Sequence, residues 1–375
     1  MHPSSLLSYY PTYAILDEIV NYGKYKKLNI FIDLKNTLQT TYMEHAIVNI
    51  VEQSKQTKFI DSSIFAALMS FLAFHKMYGL KRGVDISFII FFESGISYYH
   101  TNISKTYKIS RRIDDLYGLS REDRDFFFSI LQRNFQLIES ACNMMPSVKV
   151  IRLQNLEADF VPYYLLSRKL VPYDGTVGHV TYSNDHDLLQ CIAKDSYVFS
   201  KSMKGKKIVK PGEVMSSYLH CDSTIPDKYL ALAMAVIGDP GDNVTGIKGV
   251  GGKRFVEIFE DLLKLSGDLK EIYEKVRMNT PIFEPNIDNI ENKYLNMIVK
   301  EEVENRTVGK NLRLVSFEMI SKELDDPSST EMIEKRKKIE KIMSMYETYP
   351  KESVKKALEM AGVYLEESSV DFLYL

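Results

Sequence analysis

Short runs of β-branched and aromatic residues recur along the N-terminal two-thirds of the chain, separated by stretches where apolar residues return at helical spacing. The strand candidates are Asn29 to Asp33, Ile86 to Phe92, Val148 to Leu153 and His179 to Ser183. Their near-continuous apolar character suits strands covered on both faces, as parallel strands are. The intervals are long enough for crossover helices. The pattern predicts an α/β fold with a mainly parallel central sheet. Lys105 to Ser140, charged and aromatic together, is too long for a plain loop and is expected to be helical in part.

After Asp195 the texture changes. Tyr197 to Ser200 and Ile208-Val209 read as two short strands around a basic turn, and Pro226 opens a helix through Ile237. Glycine is then dense from Gly238 to Gly252, and a helical pattern resumes at Lys253. Residues 265–375 read as mostly helical, with Glu334 to Lys341 an exposed face and a helix at Lys351 to Ala361. The loop Asn279 to Asp288, with Pro281 and Pro285, is an expected internal boundary.

Composition narrows the classes. Of 375 residues, 48 are Lys or Arg and 50 Asp or Glu, and 45% are hydrophobic, enough for a sizeable core and against dominant disorder. The longest apolar runs, Ile86 to Phe92 and Tyr229 to Ile237, fall far short of the roughly 20 residues of a membrane span. The first 27 residues are broken by Asp17, Glu18 and Lys24, unlike a secretory signal. Cys142, Cys191 and Cys221 have no C-x-x-C partner, which fits a reducing cytosol and buried thiols rather than disulfides or zinc. A net charge of −2 gives no global sign of nucleic-acid binding, so that function must rest on local clusters.

Acids punctuate the strand ends. Asp33 closes the first strand, Glu93 follows the second, Glu157 and Asp159 the third, and Asp185 and Asp187 the fourth. In open parallel sheets, ligands gather outside the carboxyl ends of strands, so these acids would share one crevice. Packed like charges call for a cation, and an all-carboxylate set suits Mg²⁺ or Mn²⁺. Two such ions about 3.5–4 Å apart clamp the attacking and leaving oxygens of a phosphodiester. Single positions have plainer roles too: Ser183-Asn184-Asp185 resembles a helix cap, and Asp33 a strand-end turn. A haloacid-dehalogenase-type phosphatase would carry aspartate two residues after Asp33, where Lys35 stands.

The segment Gly238-Asp-Pro-Gly-Asp-Asn-Val-Thr-Gly-Ile-Lys-Gly-Val-Gly-Gly-Lys-Arg-Phe adds Asp239 and Asp242. Gly246, Lys248, Gly249 and Gly251, then Lys253 and Arg254, have the form of a helix-hairpin-helix turn. Glycines there let the backbone approach a phosphate, and helix N-terminal amides donate to it. Such contacts ignore base sequence. The glycines follow a helix and lack G-x-G-x-x-G spacing, which counts against the competing reading, a dinucleotide fingerprint.

These motifs, FID at Asp33, FFESG at Glu93, TYKISRR at Lys108, LEAD at Glu157, YSNDHDLL at Asp185 and IGDPGDNVTGIKGVGGKRF, resemble the flap endonuclease family of structure-specific 5′ nucleases, particularly its phage 5′–3′ exonuclease and ribonuclease H members. The resemblance covers roughly residues 28–265 and, more loosely, the ending. It implies a PIN-like α/β nuclease core over 1–225 with a helical arch about 100–145, then a helical domain over 226–375 with the hairpin motif about 238–265.

By the same resemblance, Asp33, Glu93, Glu157, Asp159 and Asp185 bind or organise two Mg²⁺ or Mn²⁺ ions, with Asp187, Asp239 and Asp242 alongside. Lys108 and Arg111, 15 and 18 residues beyond Glu93 and one helical turn apart, would face the scissile phosphate. Tyr107, Phe126, Phe127 and Phe128 are candidates to stack bases. Lys201, Lys204, Lys206 and Lys207 are candidates to touch duplex phosphates, and K⁺ would sit on the hairpin carbonyls. The implied substrates are DNA with a 5′ flap or 5′ end and RNA–DNA hybrid primers, cut by a monomer in the cytoplasm, the bacterial host's if phage-encoded. Apart from the resemblance, residues 265–375 exceed what the hairpin motif requires, so the C-terminal third is a candidate to dock on a partner such as a single-stranded-DNA-binding protein. Glu93, Leu34 and Phe160 depart from the family's usual Asp, Gly and Asp. They leave open a catalytically weak or inactive DNA-binding replication scaffold.

Overall fold

The computed structural model describes residues 13–38, 63–108, 120–172, 174–200, 208–284, 290–345, 349–360, 371 and 374. Arg111, the basic turn Lys201 to Lys207 and Pro285 lie outside the described residues.

The apolar runs become strands β1 (Lys27–Asp33), β2 (Asp85–Ser94), β3 (Val148–Gln154), β4 (Val177–Tyr182), β5 (Ser196–Phe199) and β6 (Ile208–Val209). They form a six-stranded sheet in the order β3-β2-β1-β4-β5-β6. All neighbours are parallel except β5 and β6. Strand order reverses beside β1, whose other neighbour is β4, so a topological switch point opens between the carboxyl ends of β1 and β4.

Period-two alternation splits the apolar runs between two covered faces. Ile30, Ile32, Phe88, Ile90 and Val180 pack with residues of the helices Tyr13–Gly23, Ser63–Arg82 and Arg121–Cys142. Phe31, Ile89, Phe91, Ile151 and Leu153 pack with those of Val161–Ser167, Phe317–Asp325 and Thr330–Ser344. Burial on both sides is why the strands read as unbroken hydrophobic runs. Part of the C-terminal third therefore covers the sheet: Phe317, Ile320, Leu324, Ile339 and Ile342 are buried there.

A third cluster unites helices between Val214 and Val315. At its centre the helix Leu230–Ile237 is buried at every position from Leu230 to Val236. This cluster takes in Tyr273 and Phe283 on one side of the proline loop and Leu295 on the other. The short strands β7 (Gly238–Asp239) and β8 (Val244–Thr245) pair antiparallel between that buried helix and the helix Gly252–Ser266. No helix among the described residues is long and apolar enough to cross a membrane. Cys142 and Cys191 are buried, Cys221 half-buried, and all three are free thiols.

Candidate functional site

At the switch point, hydrogen bonds tie the ends of β1 and β4 together. Asp33 Oδ1 accepts from the Asn36 amide at 3.1 Å, and its Oδ2 accepts from Ser183 Oγ at 3.1 Å. The Ser183 oxygen in turn accepts from the Asp185 amide at 3.1 Å, and Asn36 Oδ1 accepts from the Asn184 amide at 2.9 Å. Asp185 also caps the short helical turn His186–Cys191, accepting from the Asp187 amide at 3.1 Å. The local capping role and the shared site are the same geometry: the caps hold both aspartates at the mouth of the sheet.

Asp33, Glu93, Glu157, Asp159 and Asp185 line one cavity of about 450 Å³. Its other walls include Lys35, Tyr107, Lys108 and Phe128. Burial pushes the Asp33 carboxyl up to about 7; the Asn36 amide opposes the rise, and the charges of Glu93 and Asp185 add to it. Asp159 is pushed well above the usual carboxylate range by burial and then by Asp33 and Glu93. Each acid thus feels the others, as convergence in one pocket requires.

Glu157 goes the other way. Burial opposes its ionisation, but the Lys108 and His100 charges and the hydrogen bonds from Lys108 and Tyr107 bring it down to about 2. Lys108 Nζ lies 2.7 Å from Glu157 Oε1 and 3.1 Å from Asp242 Oδ2. The Tyr107 hydroxyl donates to Glu157 Oε2 at 2.9 Å and to Asp242 Oδ2 at 3.2 Å. His100 stacks on the Tyr107 ring at 4.6 Å.

Lys108 is not helical. It sits in a turn with φ of 51°, and its amide donates to the Asp242 carbonyl at 3.0 Å. That left-handed backbone cannot continue a right-handed helix. Of the aromatic candidates, Tyr107 is buried and spent on carboxylates, Phe127 is core, Phe126 packs against the core, and Phe128 is 44% exposed on the cavity wall.

Asp187, Asp239 and Asp242 form a second group behind Lys108. Burial, then Asp185, Asp242 and Asp239, raise the Asp187 carboxyl. Burial and Asp242 raise Asp239. Asp187 Oδ1 is buried and has no hydrogen-bond partner among the described residues. An oxygen-only donor set, mutual repulsion and an orphaned buried oxygen fit hard divalent cations. Yet among the described residues no three such side chains already stand as a ligand shell. Glu93 is held instead by Lys35 at 2.5 Å, and Glu157 by Lys108. Sequence reasoning missed Lys35, Asn36 and Ser183 as site residues. For Asn36 there was a signal: it lies three residues after Asp33, the spacing of a capping contact.

The glycine segment folds into an exposed turn on a buried anchor. Ile247 and Val250 are buried, the Ile247 amide donates to the Val236 carbonyl at 2.8 Å, and a Cβ at Gly246 would overlap the Ile237 carbonyl. Lys248, Gly249, Gly251, Lys253 and Arg254 are exposed. Gly249 has φ of 82°, and Gly251 caps the 15-residue helix Gly252–Ser266 without a side chain to satisfy its amides. Arg254 pairs with Glu257 at 2.6 Å and lies over the Tyr294 ring at 4.9 Å.

No protein-family model matches the chain. DNA polymerase I of Rhizobium leguminosarum is 28% identical over 182 residues, which is 48% of this chain and 16% of that polymerase. This chain therefore matches only a small part of that relative's length. Among solved structures, the D15 flap endonuclease of bacteriophage T5, in a pseudo-enzyme–product complex with DNA and metal ions, superposes with a TM-score of 0.56 at 18% identity. That match covers 85% of this chain and 100% of the T5 protein. The T5 5′-exonuclease with zinc bound gives the same TM-score and identity over 84% of this chain and 100% of that one. This chain has the fold of the bacteriophage T5 5′ nuclease, a mainly parallel sheet carrying helices on both faces.

Proposed function

We propose that the chain is a structure-specific 5′ nuclease that hydrolyses phosphodiesters of DNA at 5′ flaps or 5′ ends, and of RNA–DNA primers, with two Mg²⁺ or Mn²⁺ ions. One observation carries this reading: Asp33, Glu93, Glu157, Asp159 and Asp185, delivered by four strand ends, line a single cavity into which Lys108 reaches. The fold shared with a DNA- and metal-bound flap endonuclease supports it.

In this reading Asp33, Glu93, Glu157, Asp159 and Asp185 hold the ions nearest the reaction. Asp187, Asp239 and Asp242 bind or organise metal behind them. When bound, such ions lower the pKa of a water and neutralise charge on the transferring phosphate. The chain's own residues do the rest. Ser183 and Asn36 orient Asp33, Tyr107 orients Glu157, and Lys108 supplies a cation that stabilises charge developing on the phosphate once released from its carboxylates. Arg111 is assigned the same electrostatic role. The exposed amides and cations of the hairpin, Gly246, Lys248, Gly249, Gly251, Lys253 and Arg254, hold duplex backbone, with K⁺ on the turn's carbonyls. Phe128, the exposed aromatic of the cavity wall, stacks an unpaired base.

A 5′-labelled flap substrate tests the reading, incubated with Mg²⁺ and with EDTA. Cleavage with Mg²⁺ alone, abolished by Asp185→Ala while binding in Ca²⁺ persists, is the expected result. Flap binding without cleavage in the unsubstituted chain overturns it.

A further inference from the structure

Lys35 occupies the first turn of the helix Leu34–Leu38, two residues beyond Asp33, and lines the carboxylate cavity. Its Nζ lies 2.5 Å from Glu93 Oε1, with the two side chains 36% and 23% exposed. The hydrolytic roles assigned above do not use this cation. Among the described residues, Lys35 and Lys108 are the cations lining the cavity, and Lys108 is already shared between Glu157 and Asp242. Lys35 is therefore the counter-charge available to Glu93. The geometry joins the longer of the two acidic side chains, at position 93, to a lysine two residues after the first aspartate.

We propose that Lys35 is a positioning residue, a built-in counter-cation that competes with divalent ions for Glu93, so that loading the cavity requires breaking the Lys35–Glu93 pair. This rests on the metal-pocket reading. An ammonium on a flexible stem neutralises one carboxylate oxygen and offers three donors, whereas a divalent ion draws several carboxylates inward at once. The ion wins, but its net affinity is reduced by the pair it disrupts. Removing Lys35 leaves Glu93 free to join the ligand set, and apparent ion affinity rises. A partly exposed pair is screened less than a surface pair and costs less to break than a fully buried one, which sets the gain at about fivefold to tenfold.

The test is Mn²⁺ titration of the purified full chain, without DNA, followed by calorimetry. Lys35→Met is expected to bind Mn²⁺ about fivefold to tenfold more tightly, and Lys35→Arg, which keeps the pair, close to the unsubstituted chain. In a Glu93→Gln background the effect of Lys35→Met should vanish, because there is no pair left to break. Unchanged or weaker binding by Lys35→Met, while Asp185→Ala weakens binding, overturns the role of Lys35 and leaves the metal pocket standing. The same gain persisting with Glu93→Gln overturns direct competition and leaves only through-space charge. If Asp185→Ala binds Mn²⁺ as the unsubstituted chain does, the pocket reading fails and this proposal with it. Lys35→Gln, with the same expected direction, serves if Lys35→Met does not fold.

Discussion

The carboxylate cavity and the glycine hairpin are built on opposite principles. In the cavity, charge is buried: Asp33 is 6% exposed, and it and its acidic neighbours shift one another's ionisation. In the hairpin the anchor is apolar and buried, while Lys248, Lys253 and Arg254 face solvent. Desolvated charge acts strongly over short distances and tolerates little misplacement. Exposed charge acts weakly, is screened by salt, and adds up over many contacts. The difference teaches that rate should reside in the first region and affinity in the second.

The largest effect that sharpens this contrast is loss of a cavity acid. Asp33→Asn or Asp185→Ala is expected to lower flap cleavage by at least about a thousandfold while leaving Kd for the flap in Ca²⁺ within a few-fold. A parallel loss of binding would break the contrast. Lys108→Ala comes next, with kcat down about a hundredfold and affinity little changed. Because Lys108 also holds Glu157 and Asp242, this variant should melt earlier than the unsubstituted chain in EDTA, and Mg²⁺ should restore much of the difference. An unchanged single-turnover rate removes the electrostatic role assigned to it.

Stability against pH separates the cavity from the hydrophobic core. The Asp33 pKa is raised to about 7 by burial and its acidic neighbours, so the folded state binds its proton more tightly than the unfolded chain. Its contribution is full below the unfolded carboxylate pKa of about 4 and is lost as pH rises through about 7. His75 is the reverse case. Burial lowers it to about 4, and its Nε2 lies 2.9 Å from the Tyr182 hydroxyl. Its contribution is full above about 6.5 and is lost as pH falls through about 4. In thermal melts, Mg²⁺ should therefore raise Tm by several degrees at pH 8 and much less at pH 5. Asp33→Asn should raise the Tm in EDTA at pH 8 and blunt the Mg²⁺ response. Equal Mg²⁺ stabilisation at both pH values counts against a cluster of mutually repelling acids.

The sheet was legible because both of its faces are covered. Double burial writes β1 and β2 as apolar runs such as Asn29 to Asp33 and Ile86 to Phe92, and it leaves the acids to mark the strand ends. The hairpin was legible because glycine at 246 and 249 answers a steric and a backbone demand that few other residues meet. What stayed hidden are contacts between segments far apart in sequence. No local pattern announces that Lys35 meets Glu93, or that Tyr107 and Lys108 bridge Glu157 to Asp242. Nor did the amphipathic helices Phe317–Asp325 and Thr330–Ser344 declare that the surface they cover is the sheet. Periodicity shows that a helix has an apolar face and is silent about what meets it. The turn at Lys108 stayed hidden too: a backbone bond to Asp242, 134 positions away, holds its left-handed conformation.

The smallest effect tests the hairpin side. Lys253 and Arg254 are exposed at the first turn of the helix Gly252–Ser266, and Arg254 is already paired with Glu257, so each is worth a surface contact. Lys253→Ala is expected to weaken flap binding by only about threefold to tenfold, and about equally for unrelated duplex sequences, because a phosphate contact carries no base information. The slope of log K against log salt should fall by about one for each phosphate contact removed. Single-turnover cleavage at saturating enzyme should be unchanged, since no hairpin cation lines the carboxylate cavity. A fall in that rate larger than the fall in affinity would mean that the hairpin positions the scissile phosphate as well as gripping the duplex, and the division between the two regions would fail at the boundary where Asp239 and Asp242 connect them.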